Sequence, residues 1–242
     1  MIFTKANWKI ILWVTLFGIS MGFFESAVVI YIRALYFPDG FAFPLVAMEE
    51  YLALTELLRE TASMIMILTV AILAGKKLAD RLAYFIYIFA IWDIFYYVFL
   101  KALLDWPESF MTWDVLFLIP MVWTGPVIAP LILTFLMIVF AFLIIWFDQH
   151  LPKVKIFPLT WLLLITGSIV VITAFCWDFA RFVFARHSFA ELMIDTWKGK
   201  LFELTMNYIP QSFNWPMFIS GVIIISSGII WFYIKSNHYR NP

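Results

Sequence analysis

Long uninterrupted apolar runs decide what this chain can fold into. A helix needs about 20 apolar residues to cross the hydrocarbon of a bilayer, and six segments meet that requirement: 8–32, 51–74, 82–103, 126–147, 159–181 and 214–234. Hydrophobic residues make up 64% of the chain, against about 45 to 50% in soluble domains. The sequence therefore predicts an all-α, polytopic bundle of six transmembrane helices that forms a single transmembrane domain over residues 1–242.

The fourth span has the least regular beginning. Residues 114–147 are nearly all apolar and too long for one untilted helix, and Pro120, Pro126 and Pro130 interrupt the first part of this run. Proline is disfavoured in the interior of a helix, and helices usually end at or before the residue that precedes a proline. We therefore interpret residues 114–125 as an interfacial or re-entrant piece that precedes the span.

The distribution of basic residues predicts the orientation of the bundle. One set of helix ends holds only two acids but nine basic residues, namely Lys5, Lys9, Lys76, Lys77, Arg81, Lys153, Lys155, Lys235 and Arg240. The opposite ends hold the other seven basic residues and fourteen of the sixteen acids. Because lysine and arginine favour the cytoplasmic side, we expect both termini in the cytoplasm and the chain in the plasma (inner) membrane of a prokaryote.

The connection before the last span carries a helical pattern of its own. Within residues 187–213, charged residues separate apolar ones at helical spacing, namely Phe189, Met193, Trp197, Leu201 and Leu204. This pattern is typical of an amphipathic helix on the outer membrane interface. A short helix that caps the bundle would show the same pattern.

A polar stripe runs into the second span. In the segment LTELLRETASM, Glu56, Arg59, Glu60 and Ser63 are spaced three or four residues apart, so they share one helix face. Ionisable groups at membrane depth are costly and by default indicate a functional site. We therefore treat this stripe as the centre of a candidate site.

Two other spans carry acids at the same depth. At about 1.5 Å of rise per residue, Glu25 and Asp93 lie between the bilayer midplane and the outer interface, level with the stripe. We predict that these side chains meet in one polar cluster that binds a ligand. The predicted cluster comprises Glu25, Glu56, Arg59, Glu60, Asp93, Tyr97 and Lys101, with Arg33, Asp178 and Arg181 at its rim.

The predicted cluster has an excess of negative charge. Four carboxylates surround one arginine, Arg59, and like charges at low effective dielectric cannot all stay ionised. Protons, a metal ion, a cationic ligand or a rim cation that reaches inward (Arg33, Lys101 or Arg181) could each compensate. The sequence leaves these alternatives open.

Close helix packing is predicted on the first span. Gly18, Gly22 and Ser26 form a ridge of small residues at four-residue spacing, and such ridges let another helix approach closely. Glu25 lies beside this ridge. It could therefore serve only as a hydrogen-bonding group toward that neighbouring helix.

Other members of the cluster also have purely structural interpretations. The stripe around Arg59 could be an interhelical ion-pair network that fixes packing. Lys101 could simply extend outward past Tyr97 to the interface. Asp178 and Arg181, an i, i+3 pair, are expected to form a solvated salt bridge.

Cysteine and histidine placement limits the metal chemistry. The three histidines, His150, His187 and His238, lie outside the predicted spans, which argues against a bis-histidine haem in the bundle. Cys176 is the single cysteine, so no multi-cysteine metal site can form. We assign no metal ligands and leave the cofactor unknown.

Three functions are compatible with this pattern. The first is a binding or accessory subunit that holds a lipid-like or quinone-like molecule or docks in a larger membrane complex. Its partners would be membrane lipids, a hydrophobic small molecule or another membrane protein. The second is an enzyme on a lipid-phase substrate, using Glu or Asp as acid and base or an oxygen-ligated metal. The third is a proton- or cation-coupled transporter.

We favour the first of these functions. The cluster holds no nucleophile, histidine or recognisable metal set, which weakens the case for an enzyme. Many transporters are built from repeats with glycine- or proline-interrupted spans. Here no internal repeat is visible, glycine is scarce, and most prolines lie in outer connections and at span starts. A formal net charge of +0 gives no basic surface for nucleic acid.

Overall fold

Six helices form the frame of the molecule, and each is long and apolar enough to cross a membrane. The computed structural model describes residues 3–46, 48–119, 121–186 and 204–240. The helices are α1 (Lys5–Tyr36), α2 (Glu50–Ala74), α3 (Leu78–Leu104), α4 (Ile128–His150), α5 (Pro158–Phe184) and α6 (Trp215–Arg240). All six predicted spans are therefore confirmed as helices. Most of the predicted amphipathic helix lies outside the described residues.

Helix α3 lies at the centre of the first four helices. It packs against α1, α2 and α4, and side chains such as Ile88 and Leu100 are completely buried there. Helices α5 and α6 pack against each other, and α6 also contacts α4. Because α3 touches three helices, it is the element that can bring their polar side chains together.

The ridge of small residues on α1 lets α3 approach closely, as predicted. A Cβ atom at Gly22 would lie 2.9 Å from Phe95 Cβ, and one at Gly18 would also collide with α3. Ser26 Oγ donates to the carbonyl oxygen of Tyr96 at 3.0 Å. This contact places the polar residues of α1 beside those of α3.

Polar contacts connect the helix ends that the sequence predicts to be cytoplasmic. Lys77 Nζ lies 2.7 Å from Asp148 Oδ1, and the backbone N–H of Thr4 donates to Gln149 Oε1 at 2.9 Å. The start of α1, the α2–α3 turn and the end of α4 therefore lie together. We call the opposite end, where α1 ends and α2 begins, the loop end. Which side of a membrane each end faces remains a prediction.

A β-hairpin occupies part of the loop end, within the segment interpreted as an interfacial or re-entrant piece. Strands β1 (Trp113–Phe117) and β2 (Trp123–Pro126) pair antiparallel, with Asp114 opposite Gly125. Strand β2 contacts both α4 and α5. These strands were not predicted, because a short apolar run is equally compatible with a buried helix segment.

The predicted solvated salt bridge between Asp178 and Arg181 is wrong. Asp178 is only 8% exposed and accepts hydrogen bonds from the Tyr208 hydroxyl at 2.9 Å and from the N–H groups of Gln211 at 2.9 Å and Ser212 at 3.3 Å. Arg181 is exposed, and within the described ranges no ion pair joins the two. These donors come from a distant segment, which i, i+3 spacing cannot reveal. Asp178 thus anchors the connection that leads into α6.

The close α1–α3 contact predicts a specific sensitivity to one methyl group. The Gly22→Ala substitution should lower the free energy of unfolding in detergent by about 1 to 3 kcal/mol, the usual cost of overpacking. The matched control is Ser20→Ala, since Ser20 is exposed on the same helix, and its stability should change by less than about 0.5 kcal/mol. Equal effects of the two substitutions would contradict the packing.

Candidate functional site

A cavity of about 190 Å³ lies at the loop end, between α1, α2, α3, the hairpin and the 37–48 connection. Its walls are mostly aliphatic and aromatic side chains, among them Val29, Ile32, Phe41, Leu45, Phe89 and Phe117. An apolar cavity of about 150 Å³ accommodates a benzene molecule. This cavity can therefore hold a small headgroup or ring.

Five carboxylates line the same cavity: Glu25, Glu56, Glu60, Asp93 and Asp114. The first four were predicted to meet, and the structure places them around one space, together with the predicted Arg59 and Tyr97. Their ligand-binding role remains a prediction. The fifth carboxylate comes from the hairpin and was not predicted as part of the site.

Arg59 is held by two of these carboxylates. Its Nε lies 2.9 Å from both carboxylate oxygens of Glu56, one turn earlier on α2. Its Nη1 donates across to Glu25 on α1, and its Nη2 donates to Glu56. The guanidinium therefore bridges α1 and α2, and these two carboxylates compensate its charge.

Arg33 reaches inward from the rim and pairs with the hairpin carboxylate. It is buried, and its Nη2 lies 3.7 Å from Asp114 Oδ1. The guanidinium carbon also lies 3.8 Å from the ring centre of Trp106 and 4.5 Å from that of Phe41. Cation–π contacts of this kind stabilise a desolvated cation. Because the charge of Arg33 is compensated by Asp114, it does not reduce the excess of negative charge among the other four carboxylates.

Two tyrosines of α3 complete the surroundings of Asp114. The Tyr97 hydroxyl donates to Asp114 Oδ2 at 3.2 Å, and the Tyr96 hydroxyl lies 3.5 Å from the same oxygen. Burial raises the pKa of Asp114 to about 6, although Arg33 and Tyr97 act to lower it. The predicted site residue Tyr97 therefore contacts the hairpin, which could not be predicted from its spacing along α3.

Glu60 forms no ion pair among the described residues, although the charge of Arg59 acts on it. It is 8% exposed, and its Oε2 accepts a hydrogen bond from the backbone N–H of Leu118 at 3.2 Å. One neutral donor compensates a buried carboxylate only partly. Glu60 is thus bound to the hairpin while most of its hydrogen-bonding capacity stays open.

Asp93 and Trp92 carry buried polar atoms without partners. Neither Asp93 Oδ2 nor Trp92 Nε1 has a hydrogen-bond partner in the described part of the chain. Both residues line the cavity, and Trp92 is only 7% exposed. Nearly all buried polar groups in proteins are hydrogen-bonded, so these two atoms are candidate contacts for a molecule that enters the cavity. Two other buried atoms that lack described partners, Trp123 Nε1 and Thr160 Oγ1, belong to residues that do not line it.

Lys101 does not reach the cluster, although it was predicted as a member. Its Nζ lies 2.7 Å from Asp105 Oδ1 at the end of α3. The hydrogen bond and charge of Lys101 hold the pKa of Asp105 below its usual range. The side chain is about half exposed and contacts Asp105 and Pro107 at the end of α3. Asp178 and Arg181 do not line the cavity either.

The described residues contain no group of three or more His, Cys, Asp or Glu side chains that could hold a metal ion. The five carboxylates share a cavity without converging on one point, and two of them bind Arg59. The arrangement favours a spread-out polar surface. Such a surface can bind a headgroup through several hydrogen bonds.

Sequence reasoning missed Asp114 and Trp92 for different reasons. Asp114 begins a run of apolar residues, so an isolated acid there was the available signal, but it was used only as a segment boundary. Trp92 resembles the other aromatic residues of a greasy span. Its unpartnered Nε1 is visible only in three dimensions.

Comparison with known proteins identifies no relatives. No family model, no curated protein and no solved structure matches the chain.

The buried Asp114 predicts a pH dependence with a definite sign. Its ordinary pKa is 3.8, and its pKa in the folded protein is about 6, so between these values the folded state retains a proton that the unfolded chain has lost. The stability that Asp114 contributes is therefore complete below pH 3.8 and is lost as pH rises through about 6.

The measurement compares the wild type with Asp114→Asn in detergent. The free energy of unfolding of the wild type, relative to this variant, should fall as pH rises from 3.8 to about 6, by at most about 1.4 kcal/mol per pH unit. A flat difference, or one that grows with pH, would be incompatible with the described surroundings of Asp114.

Proposed function

We propose that this chain is an integral membrane protein that binds an amphiphilic molecule, lipid-like or quinone-like, with its polar headgroup in the loop-end cavity. The observation that carries the proposal is a cavity with mostly apolar walls that five carboxylates line. Two of its lining residues, Asp93 and Trp92, also carry a buried polar atom without a described partner. Binding sites for small molecules commonly combine apolar walls with a few such polar groups.

A purely structural ion-pair network accounts for only part of the cluster. It explains Arg59 with Glu25 and Glu56, which tie α1 to α2. It does not explain a cavity beside buried atoms that lack partners, because a packing network gains from filling its space. A bound headgroup supplies both the missing partners and the missing volume.

The apolar walls suit the rest of such a molecule. Side chains of the 37–48 connection, such as Leu45 and Val46, line the cavity together with Ile32 of α1. Leu35, one turn after Ile32, is 75% exposed. An acyl or isoprenoid tail that leaves the cavity past these residues would stay in an apolar environment. With the orientation predicted from the basic residues, the ligand would lie in the outer half of the bilayer.

Blocking the cavity tests this proposal. The Ile32→Trp substitution adds bulk to the cavity wall, and the control Leu12→Trp places the same ring on an exposed position of the same helix, away from the cavity. The probes are dodecyltrimethylammonium, dodecyldimethylamine N-oxide, dodecanoate and a short-tailed benzoquinone. We expect the wild type to bind at least one of them saturably, at one molecule per chain.

The expected effects of the two tryptophans differ. Ile32→Trp should raise the Kd of the bound probe at least tenfold, whereas Leu12→Trp should change it less than twofold. Isothermal titration calorimetry in a neutral maltoside measures both values, and size-exclusion profiles check that the variants fold. Absence of saturable binding by all four probes, or equal effects of the two substitutions, would refute the proposed function.

A further inference from the structure

We infer that the headgroup bound in this cavity is cationic, a quaternary or protonated amine that Glu60, Asp93 and the aromatic walls recognise. The inference rests on the proposed function and names its ligand class. A neutral or anionic headgroup in the same cavity is the competing outcome of the test.

The first support is the balance of charge around the cavity. Five carboxylates line it against two guanidinium groups, those of Arg33 and Arg59. Both guanidinium groups already have carboxylate partners, Asp114 for Arg33 and Glu25 with Glu56 for Arg59. Neither Glu60 nor Asp93 forms an ion pair among the described residues. A positive charge in the cavity that these carboxylates line would be attracted strongly at the low dielectric of this site.

The second support comes from the unpartnered atoms. Asp93 Oδ2 is buried and lacks a hydrogen-bond partner among the described residues, and Glu60 accepts one described hydrogen bond, from Leu118. A carboxylate oxygen attracts a quaternary ammonium group by charge alone, and it accepts a hydrogen bond as well from a protonated amine. Trp92 Nε1 is a donor, which an oxygen atom of the headgroup would satisfy whatever the headgroup's charge.

The third support is the aromatic character of the walls. Phe89, Trp92, Tyr96 and Phe117 all line the cavity. Aromatic faces attract cations, and cages of such rings recognise quaternary ammonium groups. The loop end already shows this chemistry, since the guanidinium of Arg33 lies over the rings of Trp106 and Phe41.

Matched headgroups provide the test. Dodecyltrimethylammonium and dodecyldimethylamine N-oxide have the same chain and nearly the same headgroup shape, but only the first is cationic at pH 8. We expect the wild type to bind the ammonium compound at least tenfold more tightly than the N-oxide, and more tightly still than dodecanoate. Tetramethylammonium, which lacks the chain, should bind at least tenfold more weakly than dodecyltrimethylammonium.

Charge-neutral variants identify the recognising residues. In Glu60→Gln/Asp93→Asn, the preference for ammonium over N-oxide should fall below threefold. The isosteric Asp93→Asn alone is the second variant if the double variant does not fold, and it should at least halve that preference. Glu49→Gln is the control, because Glu49 is exposed and does not line the cavity, and it should leave the preference unchanged.

The outcomes separate this inference from the proposed function. If the N-oxide or dodecanoate binds as tightly as the ammonium compound, and Ile32→Trp abolishes that binding, the cationic headgroup is refuted while the binding function stands. An unchanged preference in the variants also refutes the inference. If tetramethylammonium binds as tightly as dodecyltrimethylammonium, the site binds a cation without an apolar chain, and the proposed amphiphilic ligand is refuted. If no probe binds saturably, both proposals fail.

Discussion

Carboxylates buried among apolar helices need compensation, and the loop end is organised around that need. An ionised side chain loses its hydration in such surroundings, and the free-energy cost is large unless opposite charges or hydrogen-bond donors replace the water. Arg59 and Arg33 each supply a guanidinium group that carboxylates from another element bind. The same ion pairs therefore join α1 to α2 and α1 to the hairpin.

Packing elsewhere places these groups within reach of one another. The small residues Gly18 and Gly22 bring α1 against α3, so Glu25 and Asp93 line one cavity. The hairpin then adds Asp114 and the backbone N–H of Leu118. Compensation is still incomplete where these elements meet, and that incompleteness is the basis for proposing a ligand.

Much of the fold could be predicted from the sequence, because long apolar runs and a ridge of small residues are local signals. The six helices and the close approach at Gly22 follow from them. The meeting of Glu25, Glu56, Glu60 and Asp93 could also be predicted, since rise per residue converts sequence position into depth.

The remaining features depend on long-range contacts that no local pattern reveals. The hairpin is one of them, because strand pairing links residues through a turn that lies in an otherwise apolar run. Asp178 is another, since its donors follow it by 30 to 34 residues. Lys101 shows that a shared helix face does not ensure a shared site. It lies on the same helix face as Tyr97, yet its Nζ contacts Asp105 at the helix end.

An experimental density map of the protein in lipid nanodiscs tests the central claim most directly. The account predicts non-protein density in the loop-end cavity, within hydrogen-bonding distance of Asp93 Oδ2 and Trp92 Nε1. A map in which protein side chains close the cavity and pair with both atoms would contradict it. The cluster would then serve only to hold the helices together.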